Sequence, residues 1–437
     1  MRNDCFRAFH IGIELREHLV ERHALGLCPL GRDPVNPGRI SLLKNGGLFS
    51  LIVSDGINCE EYASKLRAGL TQETVITGLD FFPGVELFQD VGINNTIFLI
   101  QKNPPINGYI PYRRIHMDDS LKNYKILRDL KYPFDPNELF NPQYDDASSN
   151  DLTNQLCLDE IFYISVGMVL NANEKYEKGA FTKEDLVSNV KDLIPREKFV
   201  ESEDINRYYS KNSKFLEYGT SRVPCKIRRP TFPELYAGPR IYMARKGEAQ
   251  FFDDSTLTDQ RVIIFKPWDQ LAEVNNRSVN SEQNRVLKKY SITKTQLKKY
   301  SAKYDIKFFL SILNSRLLKT IIKARYKRDK FDITPDVYRK VPIPKISFKT
   351  DSKIRKERLF DYVKKYKEYL LTGNQKFILD SILVSLSPEV DESDVVHDFL
   401  SYLSDQMMIL TRDHDKIKTQ STDDLIDGII QKMYGTV

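Results

Sequence analysis

Cationic side chains able to grip a polyanion are the most suggestive chemistry in this sequence. Arg222, Lys226, Arg228, Arg229, Arg240, Arg245 and Lys246 fall in one stretch, interleaved with Tyr218, Phe232, Tyr236 and Tyr242. A lysine meets phosphate as a point charge, whereas the planar guanidinium can also take a guanine edge through two parallel hydrogen bonds. Pro224, Pro230, Pro233 and Pro239 would stiffen the loops between them. A second set, Arg316, Lys319, Lys323 and Lys327, recurs every three or four residues, with Arg328 beside it. That spacing predicts one cationic helix face. Ile306, Phe309, Leu310, Leu313, Leu317 and Ile321 predict a separate apolar stripe on the same helix. Pro335, Pro342 and Pro344 then forbid further helix and predict extended backbone. A rod with charge on one side and core contacts on the other suits a phosphate backbone. A plainer reading stays open for both sets: a solvated helix surface, and a loop whose aromatics fill the domain's own core.

Charge is distributed unevenly. Between Arg285 and Lys330 stand 15 Lys or Arg and 2 Asp or Glu, a local charge of +13, which leaves −7 for the rest of a chain of net charge +6. Such asymmetry predicts a localised polyanion-binding surface, with double-stranded DNA as the partner. A membrane surface fits less well, because Tyr290, Tyr300, Tyr304, Phe308 and Tyr326 form no clean lipid-facing stripe. No apolar run reaches the roughly 18 residues that a membrane span needs.

Other chemistries find little support. Glu60-Glu61, Asp253-Asp254 and Asp423-Asp424 are adjacent pairs, whose side chains point apart on a helix or strand. A nuclease would need a strand bearing Glu-x-Lys; Glu174-Lys175 and Glu177-Lys178 lack that spacing, and Arg196-Glu197-Lys198 sits outside a clear strand. His18 and His23 are five apart, off a common helical face, so no metal site is expected. The five cysteines are far apart and predict reduced thiols in a cytoplasmic protein. Trp268, the only tryptophan, reads as a core anchor.

The elements that must position these residues read as an α/β chain in four parts. Residues 1–115 hold strands at Leu48 to Ser54, Thr74 to Phe82 and Asn95 to Gln101, with a short helix from Glu60 to Leu70. The first strand is continuously apolar, as expected for burial on both faces. Residues 116–155 are rich in Asn, Asp and Pro and read as a linker. Residues 156–346 are mixed: strands near Ile161 to Leu170, Ile241 to Ala244 and Arg261 to Phe265, with Thr182 capping a helix. Residues 347–437 are helical, with periodic patterns at Leu359 to Leu371, Val395 to Leu410 and Leu425 to Met433.

Several spaced segments together resemble one family. GLFSLIVSDGINCEEYASKLRAGL and VITGLDFFPGVELFQDVGINNTIFLIQK are similar to the last strands of the catalytic domain of adenine-specific DNA methyltransferases from restriction–modification systems. YISVGMVLNANEKYEKGAFTKEDLV, FLEYG and RPTFPELYAGPRIYMARKG resemble their target-recognition domain, of the TaqI-like C-terminal specificity type. LSILNSRLLK, ITPDVYRKVPIPKI and IDGIIQKMYGTV resemble the anchoring segment and closing helix. The resemblance implies a partial, back-half methyltransferase sheet of Rossmann-like type, then a mixed α/β target-recognition domain and a helical C-terminal segment.

The family's S-adenosylmethionine loop and its [NDS]-P-P-[YFW] tetrapeptide should precede Leu48, and neither occurs in residues 1–47. Asn103-Pro104-Pro105-Ile106 lacks the aromatic that stacks on a flipped base and reads as a plain turn. The expectation is therefore sequence-specific DNA recognition without a catalytic or cofactor site in this chain alone. S-adenosylmethionine would enter only if a partner chain supplied the missing motifs. Two alternatives remain: a self-sufficient S-adenosylmethionine-dependent adenine methyltransferase with a disguised cofactor site, and an inactive gene remnant.

Overall fold

The computed structural model describes residues 43–54, 56–59, 63, 67–68, 70, 74–82, 85, 95–103, 109–118, 123–133, 155–173, 180–211, 214–325 and 334–435. The chain divides into two compact units, residues 1–148 with 326–330, and residues 149–325 with 331–437. The mixed α/β class and the helical C-terminal segment are as the sequence predicts.

The first unit is a five-stranded sheet: β1 (Leu48–Ser54), β2 (Val75–Phe82), β3 (Asn95–Gln101), β4 (Tyr109–Asp118) and β5 (Asn123–Pro133), with helical turn α1 (Gly56–Cys59). The spatial order is β1-β3-β2-β4-β5. β3 runs antiparallel to both β1 and β2, and only β2 and β4 are parallel. Leu79, Phe98, Ile76 and Ile100 form the core on one face. Asp80 is buried and takes both arms of Arg113 at 2.6 Å.

Two expectations need correction here. β1 is not buried on both faces: Leu48 is 71% and Ile52 38% exposed, while Phe49 and Val53 turn inward. β3 is not the last strand of the sheet either, because β4 and β5 follow it as an antiparallel pair, in what the sequence reads partly as linker from residue 116. The rest of the linker, residues 134–154, lies outside the described residues, as does most of the Glu60 to Leu70 helix.

The second unit joins small sheets to a helical half. β6 (Leu156–Cys157) is followed by β7 (Phe162–Val166), β8 (Val169–Ala172), β9 (Val187–Ser188), β10 (Arg196–Val200), β11 (Lys214–Glu217) and β12 (Ile227–Arg229). Next come β13 (Arg240–Ala244), β14 (Ala249–Phe252), β15 (Thr256–Thr258) and β16 (Val262–Pro267). Two four-stranded sheets, β15-β10-β11-β9 and β14-β13-β16-β7, stand beside a two-stranded ribbon, β12-β8. Gly167, between β7 and β8, is forced by packing: a Cβ there would lie 2.3 Å from the Thr258 carbonyl oxygen. Thr182 opens no helix. Its N–H and hydroxyl both bind Asp185 Oδ2, at 2.7 and 3.1 Å, and the chain leaves this single turn into β9.

The helices are α2 (Arg277–Tyr290), α3 (Lys294–Ser301), α4 (Ile306–Asn314), α5 (Arg316–Arg325), α6 (Pro335–Arg339), α7 (Ser352–Thr372), α8 (Lys376–Leu386), α9 (Ser393–Arg412) and α10 (Lys416–Met433); a last short strand, β17 (Pro342–Ile343), pairs with β6. Pro335 starts α6 rather than ending helix, since proline fits the first helical position, where no N–H bond is due. The predicted rod from Ile306 onward is two helices. Ser315 is extended, and its hydroxyl accepts from Leu318 N to begin α5. Every residue of α4 from Phe308 to Asn314 is buried, as befits a helix apolar on all sides. No helix among the described residues is long and apolar enough to cross a membrane.

Candidate nucleic-acid interface

The core of the strand-rich part of the second unit gathers Leu170, Ala172, Ile227, Tyr242, Ile264 and Trp268 with Val279 and Val286 of α2. Trp268 is fully buried and donates from Nε1 to the Asp159 carbonyl at 2.8 Å, which makes it the anchor expected. Asp159 itself is a buried carboxylate hub. It accepts from Tyr290 OH at 2.6 Å, Arg285 at 2.9 Å and Lys289 at 3.2 Å, and so ties α2 to the turn before β7. Burial and then this carboxylate push the Tyr290 hydroxyl far above the usual phenol range.

Against this frame the predicted cations separate into three groups. The first is structural. Arg240 is 0% exposed, and its fork is used internally: Nε on Tyr242 OH at 2.7 Å, Nη1 on Gly238 O at 2.7 Å and Nη2 on Thr256 O at 2.9 Å. It cannot reach a duplex, and the expectation for it is withdrawn. Arg222 closes on the buried Glu217 carboxylate, with Nε at 3.1 Å, which holds that acid below its ordinary range despite burial. Arg316 is paired with both Asp424 and Asp427, and its backbone N–H donates to Asp427 Oδ1 at 2.8 Å. Adjacent Asp423 and Asp424 do point apart: Asp423 takes Arg207 at 2.8 Å, and Asp424 takes Arg316.

The second group is intermediate. Lys246 lies at the surface against Glu248 at 2.8 Å and Asn206 at 3.3 Å. Lys226 is half-buried, and its carbonyl accepts from Asn173 N at 2.8 Å. Lys319 is half-buried, and desolvation followed by the neighbouring Arg207 lowers its amine pKa. The side chain of Lys323, and all of Lys327 and Arg328, lie outside the described residues.

Arg228 and Arg229 make up the third group, both exposed at the end of β12. Arg229 Nη2 is held by the Val166 carbonyl at 3.0 Å, with the Gly167 carbonyl at 3.4 Å. Arg228 has no hydrogen-bond or ion-pair partner among the described residues. Close by opens a cleft of about 530 Å³ lined by Tyr163, Arg277, Ser278, Ser281, Glu282 and Arg339. Tyr163 lies within electrostatic reach of both Arg229 and Arg339, which connects cleft and strand. Arg339 is fixed by Glu282 at 2.8 Å, by Asp336 and by the Ile164 carbonyl at 2.9 Å. Arg277 is exposed and unpaired among the described residues, at the first position of α2, whose cap Asn276 accepts from Ser278 N at 2.8 Å. Sequence reasoning missed Arg277, Ser278 and Ser281. The Asn-Asn-Arg-Ser helix start was the signal that could have found them.

Asn103 follows β3 in a bend, with its N–H on the Gln101 carbonyl at 2.9 Å, consistent with a turn; Pro104 to Ile106 lie outside the described residues.

No family model matches the chain, and no curated protein sequence matches it. Among solved structures it is similar to the Type IIL restriction–modification enzyme MmeI in complex with DNA, at 8% identity and TM-score 0.39 over 89% of this chain and 47% of that one. It is also similar to the Type IIG restriction endonuclease BpuSI, at 11% identity and TM-score 0.29 over 90% and 48%. A third likeness is to the ATP-dependent Type ISP restriction–modification enzyme LlaBIII bound to DNA, at 10% identity and TM-score 0.35 over 73% and 25%. The chain spans less than half the length of each. At these scores and identities the likenesses assign neither family nor activity to it.

Proposed function

We propose that this chain recognises a DNA sequence as the specificity portion of an adenine-specific DNA methyltransferase or restriction–modification enzyme. One observation supports this above the others: exposed Arg277 lines a polar cleft whose Tyr163 lies within electrostatic reach of exposed Arg229, and exposed Arg228 adjoins Arg229 on β12, while Arg222, Arg240 and Arg316 are tied up internally. Duplex recognition needs phosphate contacts for position and groove contacts for sequence, and this arrangement offers donors for both. On this reading S-adenosylmethionine and the target adenine are held by residues outside these 437, and methyl transfer requires them.

Binding of the full chain to mixed-sequence duplexes across a salt series tests the reading. Arg277→Ala is expected to shallow the log–log slope by roughly 0.9, the value for one phosphate contact. Arg316→Ala is expected to leave the slope alone, because Asp424 and Asp427 already offset that charge. Absence of salt-dependent binding by the wild-type chain sinks the proposal. Stoichiometric binding of labelled S-adenosylmethionine to the chain alone would favour the self-sufficient enzyme instead.

A further inference from the structure

We infer that the ribbon formed by β8 and β12 is the base-reading element, with Asn171 and Arg228 addressing adenine and guanine edges in the major groove. This rests on the DNA-recognition reading above and adds which surface reads sequence. Ile227 pairs with Ala172, and both are buried in the core together with Leu170. Residues next to an inward pair point the opposite way, so Asn171 and Arg228 turn outward, and both are exposed. The register slips by one between Ile227 and Arg229, because Arg229 pairs with Val169. This bulge leaves Arg228 opposite the extra residue of β8 and brings it beside Asn171. Bulges of this kind re-aim side chains.

The two outward groups carry a specific chemistry. Asparagine can accept from and donate to adenine N6 and N7, and arginine can donate twice to guanine O6 and N7. Neither Asn171 nor Arg228 has an intramolecular hydrogen-bond or ion-pair partner among the described residues, so their donors and acceptors are unengaged. The major groove is wide enough to admit a two-stranded ribbon. Next to it, Arg229 is pinned to the Val166 carbonyl, and the cleft offers Arg277, Ser278 and Ser281 to a phosphate. Position and readout would thus come from neighbouring but separate groups.

The test selects duplexes from a randomised pool with the full chain, then repeats the selection with Asn171→Ala, Arg228→Ala and Arg228→Lys. The lysine variant keeps the charge and removes the fork. Arg228→Lys is expected to keep its salt slope and non-specific affinity but to lose discrimination at one G·C pair by roughly 5- to 150-fold. Asn171→Ala is expected to lose a comparable factor at one A·T pair, leaving the other positions intact. Melting temperatures close to wild type establish that the variants fold, and Asn171→Ser replaces the alanine variant if it does not. If wild type and variants select the same sequence with the same discrimination, the ribbon does not read bases, although the DNA reading survives. If the wild-type chain binds no duplex, both fall together.

Discussion

Single side chains show why charge cannot be read from neighbours in sequence. The stretch from Arg285 to Lys330 counts as strongly basic, yet Arg285 and Lys289 meet Asp159, Lys298 meets Glu273, Lys307 meets Asp405, and Arg316 meets Asp424 and Asp427. All those carboxylates lie outside the stretch, where a window count does not register them. Arg228 and Arg277, by contrast, have no hydrogen-bond or ion-pair partner among the described residues. Lys266 carries a prediction at this scale. It is 2% exposed on β16 and donates to the Ala237 carbonyl. Desolvation, and then the neighbouring Arg240, lower its pKa to about 8. Between that value and its unfolded range near 10.5 the unfolded chain binds the extra proton, so stability attributable to Lys266 rises as pH increases from about 8. It is fully present above the unfolded pKa and is lost as pH falls through the folded one. Urea unfolding at pH 8 and pH 10 should show a gain of about 2 kcal/mol in the wild type that Lys266→Met lacks. Parallel curves for the two proteins would show that the amine is not desolvated.

At the level of elements, legibility followed the kind of force involved. The first three strands of the first sheet, the strands at 240–244 and 262–267, and the long C-terminal helices were readable because their apolar patterns specify them, whereas β4 and β5 were not. The break between α4 and α5 was not readable, because its cause is remote. Asn314 accepts from Ala249 N and donates to Ala249 O, both at 2.9 Å, across 65 residues, and Arg207 donates to the Asn314 carbonyl at 2.9 Å. These bonds hold the end of α4 on β14, and the Arg316 bond to Asp427 starts α5 on α10. Replacing Asn314 by alanine leaves the Ala249 N–H unpaired in a site with no exposure, while Tyr208 N still serves the carbonyl. A loss of about 2–3 kcal/mol is expected in chemical denaturation. Unchanged stability would mean that α4 is held by apolar packing alone. The helical turn predicted at Thr182 failed for a related reason: its cap bonds form, but the next residues are drawn into a sheet with β11.

The chain's two units carry different features. Arg228, Arg229, Arg277 and the cleft belong to the second unit, and the five-stranded sheet belongs to the first. Fold class and the cationic region in residues 222–246 were legible in sequence, but which of its cations are engaged internally depends on contacts such as Arg240 with Thr256 and Arg229 with Val166. The sheet carries its own consequence. Among the described residues β1 has a strand on one side only, β3, and its outward residues include Leu48 at 71% and Ile52 at 38% exposure. Where such an edge is left uncovered, it can take another strand, whether from a second copy or from a different chain. The purified chain is therefore expected to self-associate with rising concentration in sedimentation velocity. Leu48→Lys with Ile52→Lys should shift it towards monomer, since edge lysines oppose strand pairing. DNA affinity should stay unchanged in that double variant, because Asn171, Arg228, Arg229 and Arg277, on which the proposed contact rests, lie in the second unit. A wild-type chain that remains monodisperse and monomeric at high concentration would show that this edge is already covered.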